Sequence, residues 1–253
     1  MTPIVVILVV ATLVLAFRFY ARRRRMGLLA HRLGLDFAPR GGECANGRFG
    51  GRTLSDGLLL VSAINLIHGT LKGIRVAVMD YLYQMRTEVE FDDYDHSHTV
   101  VAFPMDGPPL PEFRLGPRTW EIKLFGGPLL ALLRCFVKSA PPPEFRLPEY
   151  PGFDLQYYVS ARYHDPVRAC FTLEVVAEIR RYRRMALRSR EGWLLIHLDR
   201  RRLPVWRLRR FLECALRLRK ALTDANKPDD PWQFSGHHAH APQAVWAEMS
   251  WRG

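Results

Sequence analysis

An unbroken apolar run near the N-terminus constrains this chain more than any other stretch of its sequence. Ile4 to Phe17 carries no charge, and Arg18 is the first interruption. A helix needs roughly 20 residues, and at least about 17, to cross the hydrocarbon core of a bilayer. Residues 2–20 therefore predict one membrane-spanning helix near the lower limit of length, with the Arg18 side chain reaching toward the headgroups.

A cleaved secretory signal is the alternative interpretation of this run. Such a signal has its positive charge before the apolar run and a small-residue cleavage site after it. Here the charge follows the run, as Arg22, Arg23, Arg24 and Arg25, and no such site is present. Because Lys and Arg are enriched on the cytoplasmic side of a span, the pattern predicts a retained anchor at the inner membrane. The N-terminus is expected outside, and the rest of the chain in the cytoplasm.

Charge is the second constraint. The chain has 253 residues and a formal net charge of +12 at pH 7. Such a protein favours nucleic acid or an anionic membrane as its partner. Lys occurs at only 5 of the 37 basic positions, and a GC-rich genome also produces such an Arg bias without selection for binding. The charge alone therefore does not decide between a functional face and an ordinary surface.

The four cysteines, Cys44, Cys135, Cys170 and Cys214, lie far apart in the sequence. They form no Cys-x-x-Cys pair, which argues against a zinc knuckle or a thioredoxin-like motif. A reducing cytoplasm keeps them as free thiols, and we expect them to behave as small buried apolar residues.

The cytoplasmic part reads as an α+β domain, mainly antiparallel sheet with helices on one face. In its first half the anchor helix is expected to continue to Leu33, with Gly34 as its C-cap. Leu58–Asn65 suits a strand or a helical turn, and periodicity does not decide between them. The other predicted elements are a loop over 40–56, strands from Ile74 to Tyr83, from His98 to Phe103 and from Leu110 to Leu115, and a helix over Pro128–Val137.

The second half has clearer periodicity. Phe153–Ser160 alternates strictly and predicts one strand, with Leu155 facing inward. Asp165-Pro166 starts a helix that is expected to run to about Arg181 and to bury Ala177. A hairpin around Glu191-Gly192 and a last helix from Pro204 to about Thr223 follow. We divide the chain into an anchor with its basic stop-transfer at 1–25, α+β halves at 26–140 and 141–223, and a disordered tail at 224–253.

Two stretches resemble a known family. The first runs Asn65-x-x-x-Gly69-x-x-x-Gly73 to Asp80-Tyr81-x-Tyr83, and the second runs Val100-Val101-Ala102-Phe103 to Leu110-Pro111-x-Phe113-x-Leu115-x-Pro117. Together they resemble uncharacterised bacterial proteins with one N-terminal membrane helix and a cytoplasmic domain of unknown function. Family members usually have an aromatic residue at Met79 and an acid at Arg118, and this chain departs at both. The resemblance covers most of the chain after the anchor and implies an architecture and topology, but no catalytic residue.

Two segments hold metal-ligand side chains. Asp92-Asp93-Tyr94-Asp95-His96-Ser97-His98 offers carboxylates and imidazoles that suit Mn, Zn or Fe, but its spacing matches no standard site. A solvated acidic connection is the simpler interpretation. His237-His238-x-His240 lies in the predicted tail, where metal binding would be weak. We predict no functional metal site and no cofactor.

Asp80 falls within an apolar strand. A buried carboxylate of this kind can serve as a general acid or base, but more often it pairs with an arginine, and arginine is abundant here. We therefore interpret Asp80 as structural. The sequence has no phosphate loop, no nucleophile elbow and no His-Glu-x-x-His motif, and it assigns no catalytic residue.

The last predicted helix carries basic residues suited to an anionic surface, namely Arg207, Arg209, Arg210, Arg217, Arg219 and Lys220. Near a leaflet each would contribute about 1 kcal/mol of attraction to anionic lipid; a merely solvated face is the alternative. Nucleic acid is an unlikely partner because the sequence has no stacking-aromatic motif and no recognition helix.

These patterns favour a single-pass, membrane-anchored, non-catalytic binding or scaffold module. Its partners would be the bilayer, through residues 2–20, and anionic lipid or a protein at the Arg-rich face. The alternative is a metal-assisted or acid/base enzyme that uses the Asp92–His98 loop and Asp80. The two differ in what surrounds Asp80, because an enzyme needs a concave pocket that gathers Asp80, His96 and His98.

Overall fold

The computed structural model describes residues 3–40, 58–85, 95–105, 107, 109–118, 143–198 and 202–226. Over these residues the chain is α+β, and each strand pairing whose register is defined is antiparallel, as predicted. Several predicted features lie outside the described residues: most of the loop over 40–56, Asp92 to Tyr94, the helix over Pro128–Val137, Cys44, Cys135 and the His-rich tail.

The described elements comprise five helices and nine strands, with most of the helices in the second half of the chain. The helices are α1 (Pro3–Leu33), α2 (Phe153–Gln156), α3 (His164–Cys170), α4 (Leu173–Arg180) and α5 (Val205–Ala225). The strands are β1 (Asp36–Arg40), β2 (Leu58–Leu71), β3 (Ile74–Met85), β4 (Asp95–Pro104), β5 (Phe113–Pro117), β6 (Glu144–Phe145), β7 (Tyr157–Ala161), β8 (Met185–Arg190) and β9 (Trp193–Leu198). The nine strands form one sheet in the order β1-β2-β3-β4-β9-β8-β5-β7-β6.

Helix α1 is continuous over 31 residues but has two different surfaces. Its first part exposes large apolar side chains, Phe17 at 71% among them, whereas Met26 and Ala30 in its second part are fully buried. Among the described helices, α1 is the one long and apolar enough to cross a bilayer. At 1.5 Å per residue it is about 46 Å long. That length exceeds the roughly 30 Å of hydrocarbon, so its second part is free to join the fold.

The end of α1 follows from local chemistry. Gly34 has a φ of +67°, which glycine adopts without steric cost. The Gly34 N–H donates to the His31 carbonyl at 3.2 Å, and the Leu35 N–H donates to the Ala30 carbonyl at 2.9 Å. This bond pair is the Schellman motif, and it confirms the predicted C-cap.

The chain divides into two compact units. The first comprises Met1–Thr99 and Arg202–Arg210, and the second comprises Val100–Arg201 and Phe211–Gly253. The first unit therefore contains α1, the strands β1 to β3, the first half of β4 and the start of α5. The division predicted from sequence, at 25, 140 and 223, groups the residues differently and stays a prediction.

The predicted hairpin around Glu191-Gly192 is confirmed, and a second hairpin joins β2 to β3. Lys72 and Gly73 join β2 to β3 with φ values of +53° and +77°, and Glu191 and Gly192 join β8 to β9 with +51° and +75°. A two-residue loop with both φ values positive is the type I′ geometry, which matches the twist of antiparallel strands. The ambiguous Leu58–Asn65 stretch is part of the long strand β2.

The prediction of one strand over Phe153–Ser160 is wrong in its first half. Phe153–Gln156 forms the helical turn α2, and strand β7 begins only at Tyr157. Phe153 and Tyr157 are buried and stack with their ring centroids 5.0 Å apart. Four residues is one helical turn as well as two strand repeats, so both residues face inward in either structure. Leu155, predicted inward, is instead exposed.

The prediction of one helix from Asp165 to Arg181 is also wrong, because the segment forms two helices. Helix α3 ends at Cys170 and α4 begins at Leu173. Between them, the Thr172 hydroxyl accepts a hydrogen bond from the Val175 N–H at 3.4 Å. Threonine at this position is an N-cap that starts a new helix. The restart leaves Ala177 exposed rather than buried.

Candidate functional site

Asp80 lies in β3, in the first unit, and its carboxylate is fully buried. Arg22 binds it through both oxygens, with Nη2 donating to Oδ1 at 2.6 Å and Nε donating to Oδ2 at 2.7 Å. Asn65 Nδ2 donates to Oδ2 at 2.9 Å, and the Thr99 hydroxyl donates to Oδ1 at 2.9 Å. These four hydrogen bonds confirm the prediction that Asp80 pairs with an arginine, and they fill the acceptor positions of the carboxylate.

A β-bulge brings Asn65 to this carboxylate. The register of β2 against β3 shifts between the pairs Ile64↔Asp80 and Ile67↔Val78. Asn65, inside the shift, has a φ of +54°, a left-handed conformation that asparagine tolerates better than most residues. Bulges commonly redirect a side chain, and this one turns the Asn65 carboxamide toward Asp80.

Leu203, just before α5, is tied to the same group through its backbone. Its N–H donates to the Thr99 hydroxyl at 3.0 Å, and its carbonyl accepts from Arg22 Nη1 at 2.7 Å. We call Arg22, Asn65, Asp80, Thr99 and Leu203 the Asp80 cluster. It joins α1, the strands β2, β3 and β4, and the segment just before α5 within one unit.

A second guanidinium lies beside the cluster. Arg202 Nε is 3.9 Å from Asp80 Oδ2. Burial lowers the pKa of the Arg202 guanidinium, the Asp80 carboxylate opposes this shift, and the charge of Arg22 adds to it. Two cations therefore share one carboxylate, which leaves an excess of positive charge at the start of α5.

Asp80 is poorly placed for acid or base catalysis. It has no contact with solvent, and a general base needs an acceptor position within reach of a substrate proton. His98 is buried in β4, whereas Asp92 to Tyr94 and the His96 side chain are not described. Among the described residues, no group of three or more His, Cys, Asp or Glu could hold a metal ion. The part of the enzyme hypothesis that rests on Asp80 thus has no support in the geometry.

Next to the Asp80 cluster, α1 from Phe17 to Arg32 and the start of α5 line a groove of about 780 Å³. We call it the arginine groove. Phe17, Leu28 and Trp206, all strongly exposed, give it apolar surface, and the Arg207 guanidinium lies 4.5 Å from the centre of the Trp206 ring. Its lining residues are Phe17, Arg18, Ala21, Arg22, Arg25, Leu28, Leu29, Arg32, Pro204, Val205, Trp206 and Arg209, none of them acidic. Sequence reasoning missed the groove because its two walls are far apart in the chain.

The structure separates the basic residues that the sequence grouped together. Arg22 is largely buried in the Asp80 cluster, whereas Arg23, Arg24 and Arg25 are exposed. At the start of α5, Arg207, Arg209 and Arg210 are exposed. Farther along α5, Lys220 pairs with Asp224 at 2.7 Å, and Arg219 is half-buried, which lowers the pKa of its guanidinium. Arg217 pairs with Glu178. Whether these residues contact an anionic surface stays a prediction.

The sequence patterns also did not predict a polar network around Glu178 in the second unit. Glu178 is buried in α4 and accepts from Arg217 Nε at 3.2 Å, from Arg217 Nη2 at 3.3 Å and from Cys214 Sγ at 3.5 Å. Arg181 Nε lies 3.3 Å from the same carboxylate. Burial raises the pKa of the Cys214 thiol to about 12, with the Glu178 charge adding to the shift. Burial alone raises the pKa of Cys170 to about 11.

These two thiols predict how the protein responds to alkaline pH. Between pH 9 and their folded pKa values of about 11 and 12, the native thiols keep protons that the unfolded chain releases. Stability therefore falls as pH rises through this window, by up to about 1.4 kcal/mol per pH unit for each thiol. Urea unfolding at pH 8 and pH 10 measures the loss, and Cys214→Ser should reduce it. Labelling of Cys170 and Cys214 by iodoacetamide at pH 8, without unfolding, would contradict the assignment.

Comparison with known proteins adds little to this description. No family model matches the chain, and no curated protein matches it. Among solved structures, the chain is similar to the crystal structure of the mycobacterial trehalose monomycolate transport factor A, TtfA. The identity is 16% and the TM-score is 0.47, over 83% of this chain and 97% of that chain. We transfer no property of that protein to this chain. Of the architecture that the family resemblance implied, the apolar N-terminal helix is present as α1.

Proposed function

We propose that this chain is a single-pass membrane protein with its N-terminus outside, and that its cytoplasmic part is a non-catalytic binding module held at the inner leaflet. The observation that carries the proposal is that the two parts of α1 have different surfaces. One unbroken helix exposes an apolar surface over its first part and buries Met26 and Ala30 over its second. An anchor built into a core in this way fixes the direction in which the module faces the bilayer.

The Asp80 cluster supports this interpretation. Arg22 lies one helical turn before Met26 and binds a buried carboxylate of the sheet through two hydrogen bonds. A bidentate guanidinium–carboxylate pair fixes orientation as well as distance. The anchor is thus attached to the first unit rigidly, and not through a flexible linker as in proteins whose anchor serves only as a tether.

The exposed arginines support the orientation and the choice of partner. Arg23, Arg24 and Arg25 follow the apolar part of α1, which is the arrangement found on the cytoplasmic side of a span. In the same unit, Arg207 and Arg210 at the start of α5 are exposed. Such charges attract anionic lipid or an acidic protein surface, and either partner suits a binding module.

Membrane fractionation and protease protection in a bacterial host test the proposal. The chain should stay with the membranes after an alkaline carbonate wash. Trypsin should degrade it in inverted inner-membrane vesicles and leave it intact in spheroplasts. The variant Val9→Arg/Val10→Arg should move to the soluble fraction, because each central arginine costs about 2.5–3.5 kcal/mol of insertion free energy. The matched variant Val9→Ala/Val10→Ala should stay in the membrane. A soluble wild-type chain, or one degraded only in spheroplasts, would overturn the proposal.

A further inference from the structure

The arginine groove begins where the apolar span ends. Phe17 and Arg18 line the end of the groove nearest the apolar span, and they belong to the part of α1 predicted to meet the headgroups. Arg18, Arg25 and Arg32 recur every seven residues, which places them on one helix face about 10.5 Å apart along the axis. The groove therefore opens at headgroup level and continues along the helix into the cytoplasm.

Charge makes the groove complementary to an anion. Five of its described lining residues are arginines and none is an acid. Arg22 is already paired with Asp80, so the charge offered to a ligand comes mainly from Arg18, Arg25 and Arg32. A guanidinium binds phosphate oxygens through two parallel hydrogen bonds. A phosphate or phosphodiester is thus the chemistry that this lining recognises.

The apolar part of the lining points to a lipid as the source of that phosphate. Trp206 is 70% exposed and Leu28 is 53% exposed. A small soluble anion would make no favourable contact with this apolar surface. Exposed aromatic side chains at the edge of a span are typical of contact with glycerol and upper acyl groups. The volume of about 780 Å³ falls within the range of pockets that take small organic ligands.

We infer that the arginine groove binds one anionic phospholipid of the inner leaflet. The phosphate lies among Arg18, Arg25 and Arg32, and the glycerol and upper acyl region contact Phe17, Leu28 and Trp206. This inference rests on the proposed function, because it needs α1 in the membrane. It goes further in naming a ligand class and a defined site. A diffuse basic surface would respond only to total charge, whereas this site depends on where each arginine lies.

Quenching of Trp206 fluorescence tests the site in the full chain. The protein is placed in nanodiscs that contain brominated phosphatidylglycerol or brominated phosphatidylcholine at the same mole fraction. The difference between each protein and its Trp206→Phe counterpart isolates this tryptophan from the other five. We expect brominated phosphatidylglycerol to quench Trp206 strongly and at a low mole fraction, and brominated phosphatidylcholine to quench it weakly.

Two charge-matched variants distinguish the site from a diffuse surface. Arg25→Gln/Arg32→Gln should raise the phosphatidylglycerol fraction needed for half-quenching about tenfold. Arg23→Gln/Arg24→Gln removes the same charge from neighbouring exposed positions that do not line the groove, and it should leave the midpoint unchanged. Circular dichroism should show both variants folded like the wild type.

Three results would overturn the inference. Equal quenching by the two lipids would exclude headgroup selectivity, and equal shifts in the two double variants would indicate a diffuse surface. Loss of quenching in inorganic phosphate, but not in sodium chloride of equal ionic strength, would make free phosphate the ligand. Each result is obtained with the span inserted in the nanodisc, so it leaves the proposed function standing. A chain that fails to insert would instead refute the proposed function.

Discussion

Replacing Asp80 by asparagine is expected to lower the free energy of unfolding by about 3–5 kcal/mol, the usual cost of breaking a buried ion pair from one side. The four donors around the carboxylate would meet an amide with only one acceptor oxygen, so two of them would face an NH₂ group. The Arg22 guanidinium, which is largely buried, would remain as an uncompensated charge. Marginal stability makes a loss of this size a large share of the total.

Urea unfolding of the full chain in detergent micelles, followed by near-ultraviolet circular dichroism, measures this loss. Asp224→Asn is the matched control, since it removes the same charge from an exposed pair with Lys220, and it should cost less than about 1 kcal/mol. The double variant Arg22→Met/Asp80→Leu replaces the pair by apolar side chains and should recover much of the stability. If Asp80→Asn costs no more than Asp224→Asn, the Asp80 cluster does not hold the fold together.

The sequence predicted that Asp80 would have an arginine partner but did not identify it. Arg22 is 58 residues away, in a run of four arginines that look alike in composition. The spacing of residues along α1 could have identified Arg22 as the partner. Arg22 precedes Met26 by four residues and Ala30 by eight, so it shares the face of α1 that is buried. The other three arginines of the run are exposed.

Local chemistry explains which elements could be predicted. The type I′ turns at Lys72-Gly73 and Glu191-Gly192, and the Gly34 C-cap, depend on a few neighbouring residues, so the sequence specifies them. The strand order does not depend on neighbouring residues, because β9 pairs with β4 across about ninety residues of chain. The prediction of a strand over Phe153–Tyr157 was wrong for another reason. Two buried residues four positions apart fit a helical turn and a strand equally well.

The predicted end of the anchor illustrates the same limit. Composition changes at Arg25, where the basic run stops, and the sequence therefore favours a boundary between 25 and 26. The structure places Arg22 inside the fold, since it donates to Asp80, Thr99 and Leu203. A cut at the compositional boundary would remove the residue that compensates a buried carboxylate. The first unit thus includes the last turns of α1.

A chain that begins at Met26 is therefore expected to be about 3–5 kcal/mol less stable than a chain that begins at Arg18. Both lack most of the apolar span, but only the longer one keeps Arg22, with one helical turn before it to limit fraying. The shorter chain should unfold at lower urea concentration or lose its cooperative transition, and amide protection in β3 should fall with it.

One further variant shows whether Arg22 accounts for this difference. In the chain that begins at Arg18, Arg22→Met should bring the unfolding midpoint down to that of the chain beginning at Met26. Arg23→Met alters an exposed neighbour and should leave the midpoint of the longer chain unchanged. Equal midpoints for the two truncated chains would mean that the Arg22–Asp80 pair contributes little. Helix α1 would then be a simple tether, attached to a first unit that folds without Arg22.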